Sequence, residues 1–191
     1  MASESISPFL VLNKGKERRV LSRLNAELRS CTSFKFYVAF VNSEGVASLK
    51  QSLLDAKQRG VNGQVLVSKY LNFSDPNALR SLLKFPNLDV RIAVTGNVHA
   101  KGYFFANPSG EHFLIGSSNW TASALSTNTE LNVHIKSGYD EKIARQVKEE
   151  FDYQFQKALP LSEVGSTNMN NLTESPVWSE KKSKMGNSIH H

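Results

Sequence analysis

A single cysteine, Cys31, stands among 191 residues. No disulfide can form within the chain, which excludes a secreted disulfide scaffold and agrees with a reducing compartment. C-x-x-C and H-x-x-x-H spacings are missing too, so no zinc pattern is written in the sequence. Asp75, Asp89 and Asp140 stand alone rather than at the paired-carboxylate spacing of a magnesium-dependent nuclease. Neither a Walker-type phosphate loop nor a glycine-rich dinucleotide fingerprint occurs. The expectation is a protein that needs no metal and no cofactor. Apolar runs are short enough to be strands, and none has the length of a signal peptide or a membrane helix. A cytoplasmic location with no membrane partner is therefore expected.

What is present is a real core and an excess of positive charge. Forty per cent of the residues are hydrophobic and the formal net charge is +6. Lys14, Lys16, Arg18, Arg19 and Arg23 cluster near the start, and Lys181, Lys182 and Lys184 lie near the end. Such a balance favours a polyanionic partner, bound through phosphate contacts that weaken steeply with salt. Tyr70, Phe73 and Trp120 are candidates for stacking on a base, although aromatic residues at these spacings are more often core.

Hydrophobic periodicity reads as α/β. Val20, Leu21, Leu24 and Leu28 form a helical stripe within residues 16–29, and residues 34–41 form an apolar, aromatic strand. Ser43 is placed to cap a helix over residues 44–59 that ends at Gly60. A strand at 63–68, a short helix at 76–83 and a strand at 88–94 follow, and an amphipathic helix at 139–159 carries Ile143, Val147, Phe151 and Phe155 on one stripe. This alternation predicts a mixed central sheet with helices on both faces. Residues 1–160 form one domain. Residues 161–191, rich in Ser, Asn, Thr and Lys, read as a polar linker or tail leading toward a further domain, with His190 and His191 as a remnant of a tag.

The informative segment lies between 99 and 136. His99-Ala-Lys101 opens HAKGYFF, whose alternation predicts a strand with His99, Lys101 and Tyr103 on one face. Asn107-Pro108-Ser109-Gly110 is turn chemistry, and Glu111 to Ser117 makes the second strand of a hairpin. Gly116-Ser117-Ser118-Asn119 then sits at a strand end. A short helix over 119–125, capped by Ser118 or Asn119, would offer backbone N–H groups to an anion, with Ser117 and Ser118 as phosphate-binding residues. Residues 128–136 alternate, with Glu130, Asn132 and His134 on a polar face and Leu131, Val133 and Ile135 on the other. A second H-x-K, His134-Ile135-Lys136, has no Gly-Ser-x-x-Asn after it and is read as coincidence; His112 and His134 are read as half-exposed surface residues.

Each group has a chemical use. An imidazole can attack phosphorus and form a phosphohistidine, which divides one difficult displacement into two easier ones. His99 is the candidate nucleophile. Lys101 supplies a point charge for a non-bridging phosphate oxygen, and the Asn119 amide adds a neutral donor to the transition state. Glu130 is the candidate orienter of the imidazole.

The pattern His99, Lys101, Gly116, Ser117 and Asn119 resembles the phospholipase D superfamily over about residues 9 to 159. The family's usual Asp five positions after the Lys is Ala106 here. That departure, with a Glu eleven residues after the motif Asn, is similar to the branch holding metal-independent restriction endonucleases and the nuclease domains that precede helicase motors. The resemblance implies catalytic His99, Lys101, Asn119 and Glu130, and a homodimer whose two motifs meet across a two-fold axis. The expected function is metal-independent cleavage of DNA. The alternatives are a phosphodiesterase of the same fold acting on RNA or lipid, and a nucleic-acid-binding module of little or no activity that positions a downstream motor. A C-terminal helicase or recognition domain is a further expected partner.

Overall fold

The computed structural model describes residues 8–15, 19–68, 74–93 and 98–164. An eight-stranded sheet runs through it, in the order β1-β7-β6-β5-β2-β3-β4-β8. The strands are β1 (Phe9–Val11), β2 (Ser33–Val38), β3 (Asn62–Ser68), β4 (Leu88–Ala93), β5 (Gly102–Asn107), β6 (Gly110–Gly116), β7 (Asn132–Ser137) and β8 (Leu159–Pro160). Helices are α1 (Val20–Ser30), α2 (Ser43–Gln58), α3 (Pro76–Leu82), α4 (Ala122–Ser126) and α5 (Lys142–Lys157).

The sheet has two halves. β2, β3 and β4 are parallel, each linked to the next by a helix, whereas β5, β6 and β7 form an antiparallel meander. β2 and β5 join the halves in antiparallel register, Phe36 facing Tyr103. Helices cover both faces, as the sequence leads one to expect. α1 and α2 pack over the principal core of Val20, Leu24, Phe34, Phe36, Leu49, Leu53, Val65 and Phe105. α5 covers the opposite face through Phe151 and Phe155, which meet Tyr37, Leu66 and Ala93.

Phe36 is the centre of the aromatic packing. Its ring lies 5.0 Å from Tyr103, 5.1 Å from Trp120 and 5.9 Å from Phe105, each edge to face, and 5.0 Å from Phe34. Edge-to-face pairs of this kind add to the burial of the rings themselves. Trp120 follows the Gly116–Asn119 segment directly and the Tyr103 hydroxyl donates to Ser118 O, so the core aromatics are also the floor beneath that segment.

Several element ends differ from the sequence reading. α1 begins at Val20, and residues 16–18 of the expected helix lie outside the described residues. Asn42, not Ser43, caps α2, accepting from Gly45 N–H at 2.8 Å. Thr121, not Ser118 or Asn119, caps α4. β5 starts at Gly102, so His99 and Lys101 lie in the extended lead-in to the strand rather than within it. The short edge strands β1 and β8 carry no alternation long enough to be recognised. The proposed tail does not begin at 161: Leu161–Val164 forms a 3-10 turn with Leu161 buried in the principal core. The rest of the tail, with Lys181, Lys182 and Lys184, lies outside the described residues.

Candidate active site

The carboxyl ends of the parallel strands open toward the segment leading into β5 and the loop leaving β6. After β2 the chain at Phe40 to Asn42 runs beside Asn119 and Trp120: Trp120 N–H donates to Phe40 O at 3.3 Å, and Asn42 N–H donates to Trp120 O at 3.2 Å. Trp120 is fully buried, and its indole N–H donates to Gly45 O at 2.8 Å. It is therefore a core residue and not a base-stacking one. Tyr70 and Phe73, the other two candidates, lie outside the described residues.

His99 and Lys101 come together directly. The Lys101 ammonium donates to the His99 carbonyl at 3.0 Å, and Nζ lies 3.0 Å from Nδ1 and 3.2 Å from Nε2 of the ring. His99 is exposed and Lys101 half-buried. Burial pushes the Lys101 ammonium below the usual lysine range, and the Glu130 carboxylate partly opposes that shift. The same carboxylate adds to the effect of burial on Tyr103, whose phenol is pushed far up. Glu130 thus shares one electrostatic environment with Lys101 and Tyr103.

Glu130 precedes β7 rather than lying on a strand face. The hydroxyl of Ser117 donates to its carboxylate while accepting from the backbone of Leu131 at 3.0 Å. One exposed serine therefore holds the glutamate and its connecting backbone together. Asn119 is buried, and its Oδ1 accepts from Phe40 N–H at 3.3 Å. With the oxygen so engaged, the amide Nδ2 is the end left to act as a donor.

Ser118 is the exception among the expected substrate-binding residues. Its side chain is fully buried, donates to Ala124 O at 3.4 Å and accepts from Asn132 Nδ2 at 2.9 Å. It supports the loop from inside. The expected anion site at the following helix is also weaker than the sequence implies, because α4 is one short turn and the Thr121 hydroxyl takes Ala124 N–H at 3.2 Å.

Two supporting residues escaped the sequence reading of the site. Tyr103 hydroxyl donates to Ser118 O at 3.1 Å, and the buried Asn132 reaches Ser118 N–H, Ser118 Oγ and Val11 O. An Asn inside a strand, where that residue is depleted, was the available signal for Asn132.

The face of β7 is opposite to expectation. Asn132 and His134 point inward and are buried, whereas Leu131 is 60% exposed. His134 is 1% exposed rather than a surface residue, because a buried carboxylate from α1, Glu27, meets it at 2.7 Å. His112 meets the same carboxylate at 2.8 Å. No helix among the described residues is long and apolar enough to cross a membrane.

Solved structures share this architecture. NucT from Helicobacter pylori superposes with a TM-score of 0.64 at 18% identity, over 81% of this chain and 98% of that one. Nuc from Salmonella typhimurium, a phospholipase D family member, gives 0.64 at 19% identity, over 81% and 97%. A phosphatidylserine synthase from Haemophilus influenzae Rd KW20 gives 0.62 at 14% identity, covering 96% of this chain and 47% of its own. None of the curated proteins matches this sequence. The family model described as "Cardiolipin synthase, PLD-like domain" matches residues 24–155, a span that runs from α1 through α5 and takes in every catalytic candidate. The chain belongs to the PLD-like domain family.

Proposed function

We propose that the chain is a metal-independent phosphodiesterase that cleaves DNA through a covalent phosphohistidine. The observation that carries this reading is the pairing of His99 and Lys101 at an exposed strand entry, within the field of the Glu130 carboxylate. A nitrogen nucleophile and a phosphate-stabilising cation are thus adjacent before substrate arrives, which lowers the cost of organising them. The imidazole of His99 attacks phosphorus, and the phosphorus–oxygen bond to the leaving strand breaks. That oxygen takes a proton from a general acid, and water then cleaves the phosphorus–nitrogen bond and releases His99. Lys101 and the Asn119 amide stabilise the charge on the transferring phosphoryl group, and Glu130 supports the site through Ser117.

One such constellation is present per chain, so the proton donor is proposed to be His99 of a second copy in a symmetric homodimer. DNA as substrate is favoured by the formal charge of +6, and a place in a restriction- or helicase-type protein accords with the Glu130 position and the missing Asp at Ala106.

The test is nicking of supercoiled plasmid in EDTA at 25 °C, with the folded fraction followed by circular dichroism. Cleavage by the natural chain and none by His99→Ala or Lys101→Ala is the expected result. A folded protein that binds DNA with a steep salt dependence yet cleaves nothing would favour the binding-module reading instead.

A further inference from the structure

Beneath α1, away from the catalytic loop, three side chains from three elements converge on one point. Glu27 of α1 reaches His112 Nδ1 on β6 through one carboxylate oxygen at 2.8 Å and His134 Nε2 on β7 through the other at 2.7 Å. All three ligand atoms lie within 4.8 Å of one another. His112 is five residues from Ser117, which puts the cluster about 16 Å down β6 from the catalytic end.

We propose that Glu27, His112 and His134 form a structural site for a divalent cation of the zinc class. Two imidazoles and a carboxylate are a donor set that zinc and its neighbours favour, and they leave a fourth position for water. Ligand atoms about 2.0–2.1 Å from a tetrahedral ion lie roughly 3.3 Å apart. The carboxylate oxygen that ligates would therefore move about half an ångström from its bonded imidazole nitrogen, the other oxygen would turn from the ion, and the two imidazole nitrogens would draw together around it.

The surroundings fit such an occupant. Glu27 is 4% exposed and already holds both imidazoles through its two oxygens, so its carboxylate is oriented on the cluster. Arg23 stands 3.7 Å from Glu27 Oε1, and its repulsion would have to be relieved. Its side chain is one-third exposed and its guanidinium already rests 5.1 Å over the Phe9 ring, so it can leave the carboxylate without entering the core. His112, with 12% of its side chain exposed, marks the route of entry. Bound there, the ion would clamp α1 onto the β6–β7 pair, a role separate from the chemistry at His99.

The experiment is zinc titration of the full chain after chelation and transfer to chelator-free buffer, by calorimetry and by thermal unfolding, with no activity readout. The chain has five histidines, so a variant carrying His99→Ala, His190→Ala and His191→Ala leaves His112 and His134 as the only two. Expected are one ion per chain, micromolar or tighter binding kept by that variant, and an unfolding temperature raised by several degrees in excess zinc. His112→Ala should weaken binding by about 100-fold or more. No uptake by the natural chain would overturn the site. So would uptake that disappears in the triple variant, which would place the ion at His99 or at the terminal pair. Because the readouts are affinity and unfolding temperature, the nuclease reading can fail while this site stands, and the reverse.

Discussion

The carbonyl of Gly45 accepts the indole N–H of Trp120 at 2.8 Å, while a β-carbon at Gly45 would fall 2.2 Å from the Trp120 carbonyl oxygen. The first turn of α2 is therefore seated against the backbone that presents Asn119, and only a residue without a side chain fits between them.

Gly45→Ala should destabilise the fold by about 2 kcal/mol or more, because the obstruction is backbone and cannot rotate away. Urea denaturation reads the stability. Since the loop carrying Asn119 must shift before the fold is lost, cleavage should fall further than the folded fraction does. Equal losses would show that the contact has no bearing on the site.

Burial lowers the Lys101 pKa and the Glu130 charge opposes that shift. The ammonium should therefore titrate below the ordinary lysine value of 10.5, read directly by NMR of the labelled lysine side chain rather than from the rate profile, in which the proton of the donating imidazole is also lost as pH rises. Glu130→Gln removes the opposing charge and should move the lysine titration further down. A titration that ignores this substitution would show that the two groups do not share one field.

Ser117→Ala removes the hydroxyl that joins Glu130 to Leu131 N–H. Because Ser117 is exposed, stability should change little. The turnover number should drop roughly tenfold or more with KM nearly unchanged, as a displaced supporting charge weakens the transition state rather than substrate binding. Steady-state kinetics beside a melting curve separates the two effects.

Asn132→Ala deletes a buried amide that reaches Ser118 and Val11 and leaves the Ser118 N–H unpaired. A loss of about 1–3 kcal/mol is expected from equilibrium unfolding. Asn132→Asp, with a charge in the same enclosure, should lose more.

Legibility varied with the kind of physics each residue obeys. Helices and strands follow burial at fixed periods, and the stripe at Val20, Leu24 and Leu28 placed α1 correctly. Glu27 was passed over, although it stands three residues after Leu24 and seven after Val20, on the buried side of the same helix. A carboxylate on an apolar stripe implies a buried partner, and its partners, His112 and His134, read as surface residues because polar alternation in a strand ordinarily faces water. That error inverted β7. The catalytic candidates were legible through spacing, because His99, Lys101, Asn119 and Glu130 fall within about thirty residues. Their supports were harder to see. Phe40 contributes its backbone N–H and carbonyl, and Tyr103 contributes an interior hydroxyl, and neither leaves a signature in residue identity.

The junction of β2 with β5 bears on how the molecule assembles. Every catalytic candidate comes from residues 99–130, in or beside the antiparallel half, yet the amide of Asn119 is anchored to Phe40, which follows a strand of the parallel half. Hairpins such as β5–β6 close over short loops, whereas Ser33 must find Ala106 across more than seventy residues of chain. Long closures are slow. Enzymatic competence should accordingly trail secondary structure during refolding, so that activity regained after dilution from urea becomes a clock for the docking of the two halves.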